Sequence, residues 1–153
     1  MKIYYKELPK VFICIGSNEV IGDCLGPLVG SYLKERFNNI EVYGDILNPV
    51  NFKNANDILA KIKVKYDNRC CVILVDSALG DEVGNLVITS GEMYIGKCLN
   101  KNRKLTGDIN IKGIVGINHN NTIQNLLELK KIDFRKVNQM ALNIVEISKK
   151  MNV

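Results

Sequence analysis

Apolar residues occur along this chain in two alternating patterns. Val11-Phe12-Ile13-Cys14-Ile15 is apolar at every position, as expected of a strand covered on both faces in a parallel sheet. From Leu25 onward, Leu28, Val29, Tyr32, Leu33 and Phe37 recur at helical spacing, with Pro27 confined to the first turn, where its missing N–H is not needed. Ile40 to Tyr43 predicts a short second strand, and Asn54 to Val64, with Ile58, Leu59 and Ile62 on one side, a second helix. Cys70 to Val75 predicts a central third strand that stops at Asp76. Gly84 to Ile88 and Met93 to Ile95 flank Thr89-Ser90-Gly91-Glu92 and predict a small edge hairpin turning there. Ile109 to Ile117 predicts a further strand and Thr122 to Leu129 a short helix. Asp133 is placed to cap a last helix with Val137, Met140, Ala141, Ile144 and Val145 inward.

Strands alternating with helices predict an α/β fold of three layers, a mainly parallel twisted sheet with helices on both faces. A strand order beginning 2-1-3 opens a crevice at the carboxyl ends of the first and third strands, where function is expected. The 153 residues show neither linker nor repeat, so one domain spanning 1–153 is predicted. No apolar run reaches the roughly 20 residues of a membrane span, and Met1 to Glu7 has no signal-peptide stretch, which predicts a cytoplasmic protein without a membrane partner. Lysine and arginine exceed the acids by five, but they are scattered among them, so the excess reads as solubility and not as a nucleic-acid surface. Cys14, Cys24, Cys70, Cys71 and Cys98 are odd in number and contain no C-x-x-C, the usage of reduced thiols.

Two carboxylates fall on the predicted crevice. Asp23 lies in the glycine-punctuated loop after the first strand, where it is either a helix N-cap or a functional acid. Asp76 directly follows an apolar run, so its desolvated charge needs a partner. The loop matches no phosphate-binding fingerprint, and a carboxylate at the helix start would repel a phosphate. His119, the only histidine, lies past another strand end and is either a loop residue or a ligand. With Asp23 and Asp76 it would suit Zn²⁺, Ni²⁺ or Mn²⁺, whereas the carboxylates alone suit proton chemistry with no cofactor. Asn18, Gly22 and Asn118, on the loops beside these groups, are expected to bind substrate. Asp108, roughly 25 Å from that rim at the strand rise of about 3.3 Å per residue, is read as structural. Cys24 has an aspartate beside it that raises its thiol pKa, which argues against a nucleophile.

Ile15-Gly16-Ser17-Asn18 with Gly22-Asp23-Cys24-Leu25-Gly26-Pro27-Leu28-Val29-Gly30 resembles the opening motif of the YyaC-type sporulation proteins, a family of proposed spore peptidases. Val42-Tyr43-Gly44 with Asn48-Pro49-Val50, Val75 to Gly80, and Gly107 to Val115 resemble that family's later motifs in order and spacing. The family is similar to the spore germination protease and, more remotely, to hydrogenase maturation endopeptidases, which implies a phosphorylase/hydrolase-like α/β fold. The resemblance implies that Asp23 and Asp76 are the catalytic acids of a sporulation-related peptidase acting on a protein or peptide in the cytoplasm or forespore. The maturation endopeptidases use a later histidine in nickel recognition, for which His119 is the counterpart. Two departures stand out: Gly16-Ser17-Asn18 replaces the usual Gly-Thr-Asp, and Asn118-His119-Asn120-Asn121 replaces a glycine-rich stretch. A metal-dependent maturation endopeptidase and a non-catalytic peptide- or metal-binding regulator on the same fold are the alternatives.

Overall fold

A five-stranded sheet in the order β2-β1-β3-β5-β4 organises the molecule, described by a computed structural model over residues 5–96 and 102–151. The strands are β1 (Lys10–Cys14), β2 (Glu41–Tyr43), β3 (Cys71–Leu79), β4 (Leu86–Ile95) and β5 (Arg103–Gly116). The helices are α1 (Leu25–Arg36), α2 (Ala55–Lys65), α3 (Thr122–Lys131) and α4 (Phe134–Lys149). Pairings β2–β1, β1–β3 and β3–β5 are parallel, while β4 runs antiparallel along β5. The order 2-1-3 and the α/β class are as expected. The Asp133 cap is too, its side chain accepting from the Arg135 N–H. Among the described residues no helix is long and apolar enough to cross a membrane. The four described cysteines, Cys14, Cys24, Cys70 and Cys71, are free thiols, and Cys98 lies outside the described residues.

Strand alternation divides the core. Phe12, Cys14, Cys71, Ile73, Val75 and Ile111 face α1 and α4, whereas Val11, Ile13, Ile15, Val72 and Leu74 face α2. The helices supply complementary faces, with Val137, Met140, Ala141, Ile144 and Val145 of α4 buried as their spacing predicted.

Two expectations need correction. The third strand does not end at Asp76 but continues to Leu79, because β5 still pairs with it after β1 has stopped. Nor does the chain turn at Thr89 to Glu92. β4 runs on as one strand, with one extra residue taken up on β5 between Gly107 and Asn110 opposite Thr89 and Gly91. Gly91, at φ +89°, supplies the backbone conformation the irregularity uses. The extra residue also resets side-chain alternation, so Leu105 joins Met93 and Ile95 on the α2 face although Ile111 points to the α1 face. The ribbon folds back over the sheet. In a flat ribbon Tyr94 would lie roughly 23 Å along the strand from Val87, the partner of Lys112, at about 3.3 Å per residue. Yet Lys112 Nζ donates to the Tyr94 carbonyl at 2.8 Å.

Candidate active site

The site forms where β1 ends and β3 continues. Past Cys14, Ile15 N–H donates to the Val75 carbonyl and Gly16 N–H to the Val50 carbonyl, each at 2.8 Å. The chain then loops through residues 17–20 into a short 3-10 turn, Ile21–Asp23, which leads into α1. Ser17 N–H donates to the Asp23 carbonyl at 2.9 Å. A Cβ on Gly16 would come within 2.2 Å of that oxygen, so glycine is what allows the loop to close on Asp23.

Asp23 is not the helix cap that its spacing allowed. Cys24 holds that position without a side-chain cap bond, and the Asp23 carboxylate turns to the Ser77 hydroxyl, which donates to Oδ1 at 3.2 Å. Asp76 lies within β3, opposite Lys112 of β5, and is only 5% exposed. Ser77 N–H donates to Asp76 Oδ1 at 2.9 Å. Burial raises the Asp23 pKa to about 6, the Ser77 hydrogen bond partly opposing the rise. The Asp76 carboxyl is pushed well above the usual range, first by burial and then by the charge of Asp23, with Lys112 and the Ser77 N–H acting against it. The Cys24 thiol donates to the Val20 carbonyl, and burial and the Asp23 charge raise its pKa, which is unfavourable for a nucleophile.

Both acids open onto a cleft of about 510 Å³ whose walls include Lys53, Ser77, Tyr94, Lys112 and Asn118. Asn118 thus stands where substrate binding was expected. Its amide oxygen accepts from Asn120 N–H at 2.9 Å and from the Asn125 side chain at 3.2 Å. Asn18 and Gly22 lie elsewhere. Asn18 is exposed and its amide donates to the Ile46 carbonyl at 2.7 Å, tying together the loops after β1 and β2. Gly22 is buried under α3, where an added Cβ would meet Leu129 at 2.8 Å, so its glycine serves packing and not the cleft wall.

His119 is not brought together with the two aspartates. Its Nε2 lies 2.9 Å from Glu128 Oε2, an oxygen also paired with Lys131 at 3.2 Å, and its N–H donates to the Asn125 side chain. The described residues contain no group of three or more His, Cys, Asp or Glu placed to hold a metal ion. Two carboxylates with the histidine committed to Glu128 do not match the donor set that a nickel or zinc site needs. Asp108 accepts from Val72 N–H at 2.8 Å near the start of β3, the structural role read from its position.

Sequence reasoning missed Ser77, Lys112 and Glu128. Ser77 adjoins an acid that needed partners, which was the available signal. Lys112 becomes relevant only once β3 and β5 are neighbours in a known register.

The family profile described as "Protein of unknown function (DUF1256)" matches residues 1–147. The uncharacterized protein YyaC of Bacillus subtilis is 38% identical over 112 residues, 71% of this chain and 54% of that protein. The chain therefore spans about half the length of the curated relative it matches. The [NiFe] hydrogenase maturation protease HycI from Thermococcus kodakarensis KOD1 superimposes with a TM-score of 0.66 at 17% identity, covering 98% of this chain and 96% of its own. HybD, a maturation protease from Thermococcus kodakarensis, gives a TM-score of 0.56 at 18% identity over 94% and 99% of the two chains. At these identities the likeness establishes a common α/β fold.

Proposed function

The chain belongs to the DUF1256 family, and from that premise we propose that it is a peptidase whose cleft hydrolyses a peptide bond with Asp23 and Asp76. The observation that carries this reading is the pair itself, two partly or fully buried carboxylates on one cleft, unequally perturbed. Such inequality separates a base from an acid. Asp23, raised only to about 6, is the group that ionises first and serves as base, while the more deeply buried Asp76, pushed well above its ordinary value, is the one that holds its proton longer and serves as acid. A water in the shared cleft loses a proton to Asp23 as its oxygen attacks the scissile carbonyl, and Asp76, which opens onto the same cleft, donates to the carbonyl oxygen. On collapse the C–N bond breaks, the leaving amine takes the proton from Asp23, and Asp76 recovers its own.

The fold shared with hydrogenase maturation proteases supports a protein or peptide as substrate. The sporulation setting, in the cytoplasm or forespore, rests on the resemblance to YyaC-type proteins. The test compares wild type with Asp23→Asn and Asp76→Asn on a complex peptide library by mass spectrometry. New cleavage products from wild type alone, with all three proteins folded, support the peptidase. Identical products from all three would contradict it and leave the cleft a binding site.

A further inference from the structure

We propose that Ser77 is the positioning residue of the acid pair, its hydroxyl fixing Asp23 and its amide fixing Asp76. The assignment rests on the peptidase reading for its catalytic consequence, but its geometry stands independently. Successive residues of a strand point to opposite faces, so Asp76 follows Leu74 towards the α2 side and Ser77 follows Val75 towards α1. Asp23 arrives from the α1 side, on the turn that leads into that helix. An acid on the strand and an acid on the turn are thus placed on either side of β3, and the residue between them is bonded to both: hydroxyl to Asp23 at 3.2 Å, N–H to Asp76 at 2.9 Å.

The amide bond would survive any side chain at position 77, so substitution isolates the hydroxyl. Without that donor, Asp23 keeps its burial and loses the bond that favours its charged form. Its carboxylate is then free to change rotamer and holds its proton to higher pH, which removes the base from the pair. Threonine, at home in a strand and carrying the same hydroxyl, should restore it.

The experiment follows the Asp23 carboxyl by ¹³C NMR through a pH titration of wild type, Ser77→Ala and Ser77→Thr, without substrate. Melting temperatures and kcat and KM on a cleaved peptide are measured alongside. The expected result is an upward move of the Asp23 midpoint in Ser77→Ala and a fall in kcat/KM below the new midpoint of roughly tenfold per pH unit of that move. KM should change little, and Ser77→Thr should behave as wild type. If Ser77→Ala does not fold, Ser77→Cys, similar in size with a weaker donor, takes its place, with a smaller shift expected. An unmoved Asp23 midpoint in a folded variant, or no recovery in Ser77→Thr, would overturn the assignment. Should no peptide be cleaved by wild type, the peptidase reading fails while the titration still decides the role of Ser77.

Discussion

Asp76 and Lys112 face each other across the β3–β5 ladder, which sets a cation beside a carboxyl group that is 5% exposed. The lysine also holds the folded-back ribbon by donating to the Tyr94 carbonyl. Its charge opposes the rise in the Asp76 pKa, so its removal should let Asp76 keep its proton to higher pH. In Lys112→Met the alkaline limit of peptide cleavage is therefore expected to move up. A pH–rate profile on one peptide checks it, and a downward move would contradict the acid role given to Asp76.

Stability should respond to the same pair in the opposite sense to activity. Asp23 binds its proton more tightly folded, near pH 6, than at its ordinary value of 3.8, so stability falls as pH rises through that window. Asp23→Asn, which keeps an acceptor for Ser77, should raise stability at pH 7.5 by about 1–3 kcal/mol, and the gain should vanish below about pH 4. Thermal melts of the variant and wild type across pH 4–8 measure it.

Activity should rise with pH through about 6 as Asp23 ionises. An acid limb in kcat/KM at that position, lost together with all activity in Asp23→Asn, is the kinetic counterpart of the stability change.

His119 acts with Glu128 and not with the aspartates, so His119→Ala is expected to cut peptide at a rate close to wild type. Purification with EDTA should likewise leave cleavage unchanged. Glu128 is buried but keeps Lys131 and the Ile117 N–H as partners when the imidazole is removed, so the variant should lose about 0.5–1.5 kcal/mol of stability, a few degrees in melting temperature. Loss of cleavage in both experiments would restore the metal-dependent alternative.

Gly22 couples packing to the cleft. Gly22→Ala forces a methyl group against Leu129 and should cost about 1–3 kcal/mol of stability. Leu129 also lines the cleft, so its displacement should raise KM of the folded variant, which peptide-cleavage kinetics beside a thermal melt would check.

Much of this architecture was legible because burial on both faces leaves a plain trace: Val11 to Ile15 and Cys70 to Val75 are apolar throughout, and the crevice follows from their order. Asp76 stood out as an acid that no apolar run should tolerate unpartnered. The bend in the β4–β5 ribbon was hidden because Thr89-Ser90-Gly91 carries the residues of a turn, and a glycine in the left-handed region serves a bulge as well as a hairpin. The partner of His119 is hidden in the sequence because Glu128, a charged residue on a short helix, gives no sign of being buried. The role of Ser77 is hidden in the sequence because side-chain polarity alone does not reveal a bond to a residue 54 positions away.

The central claim, hydrolysis by the Asp23–Asp76 pair, is tested most directly by cleavage in ¹⁸O-labelled water. Proteins from sporulating cells are incubated with wild type or with the Asp23→Asn, Asp76→Asn double variant, and new carboxyl termini are mapped by mass spectrometry. The account predicts termini carrying ¹⁸O in the wild-type reaction and none with the double variant. Equal termini from both proteins, or none from either, would contradict it.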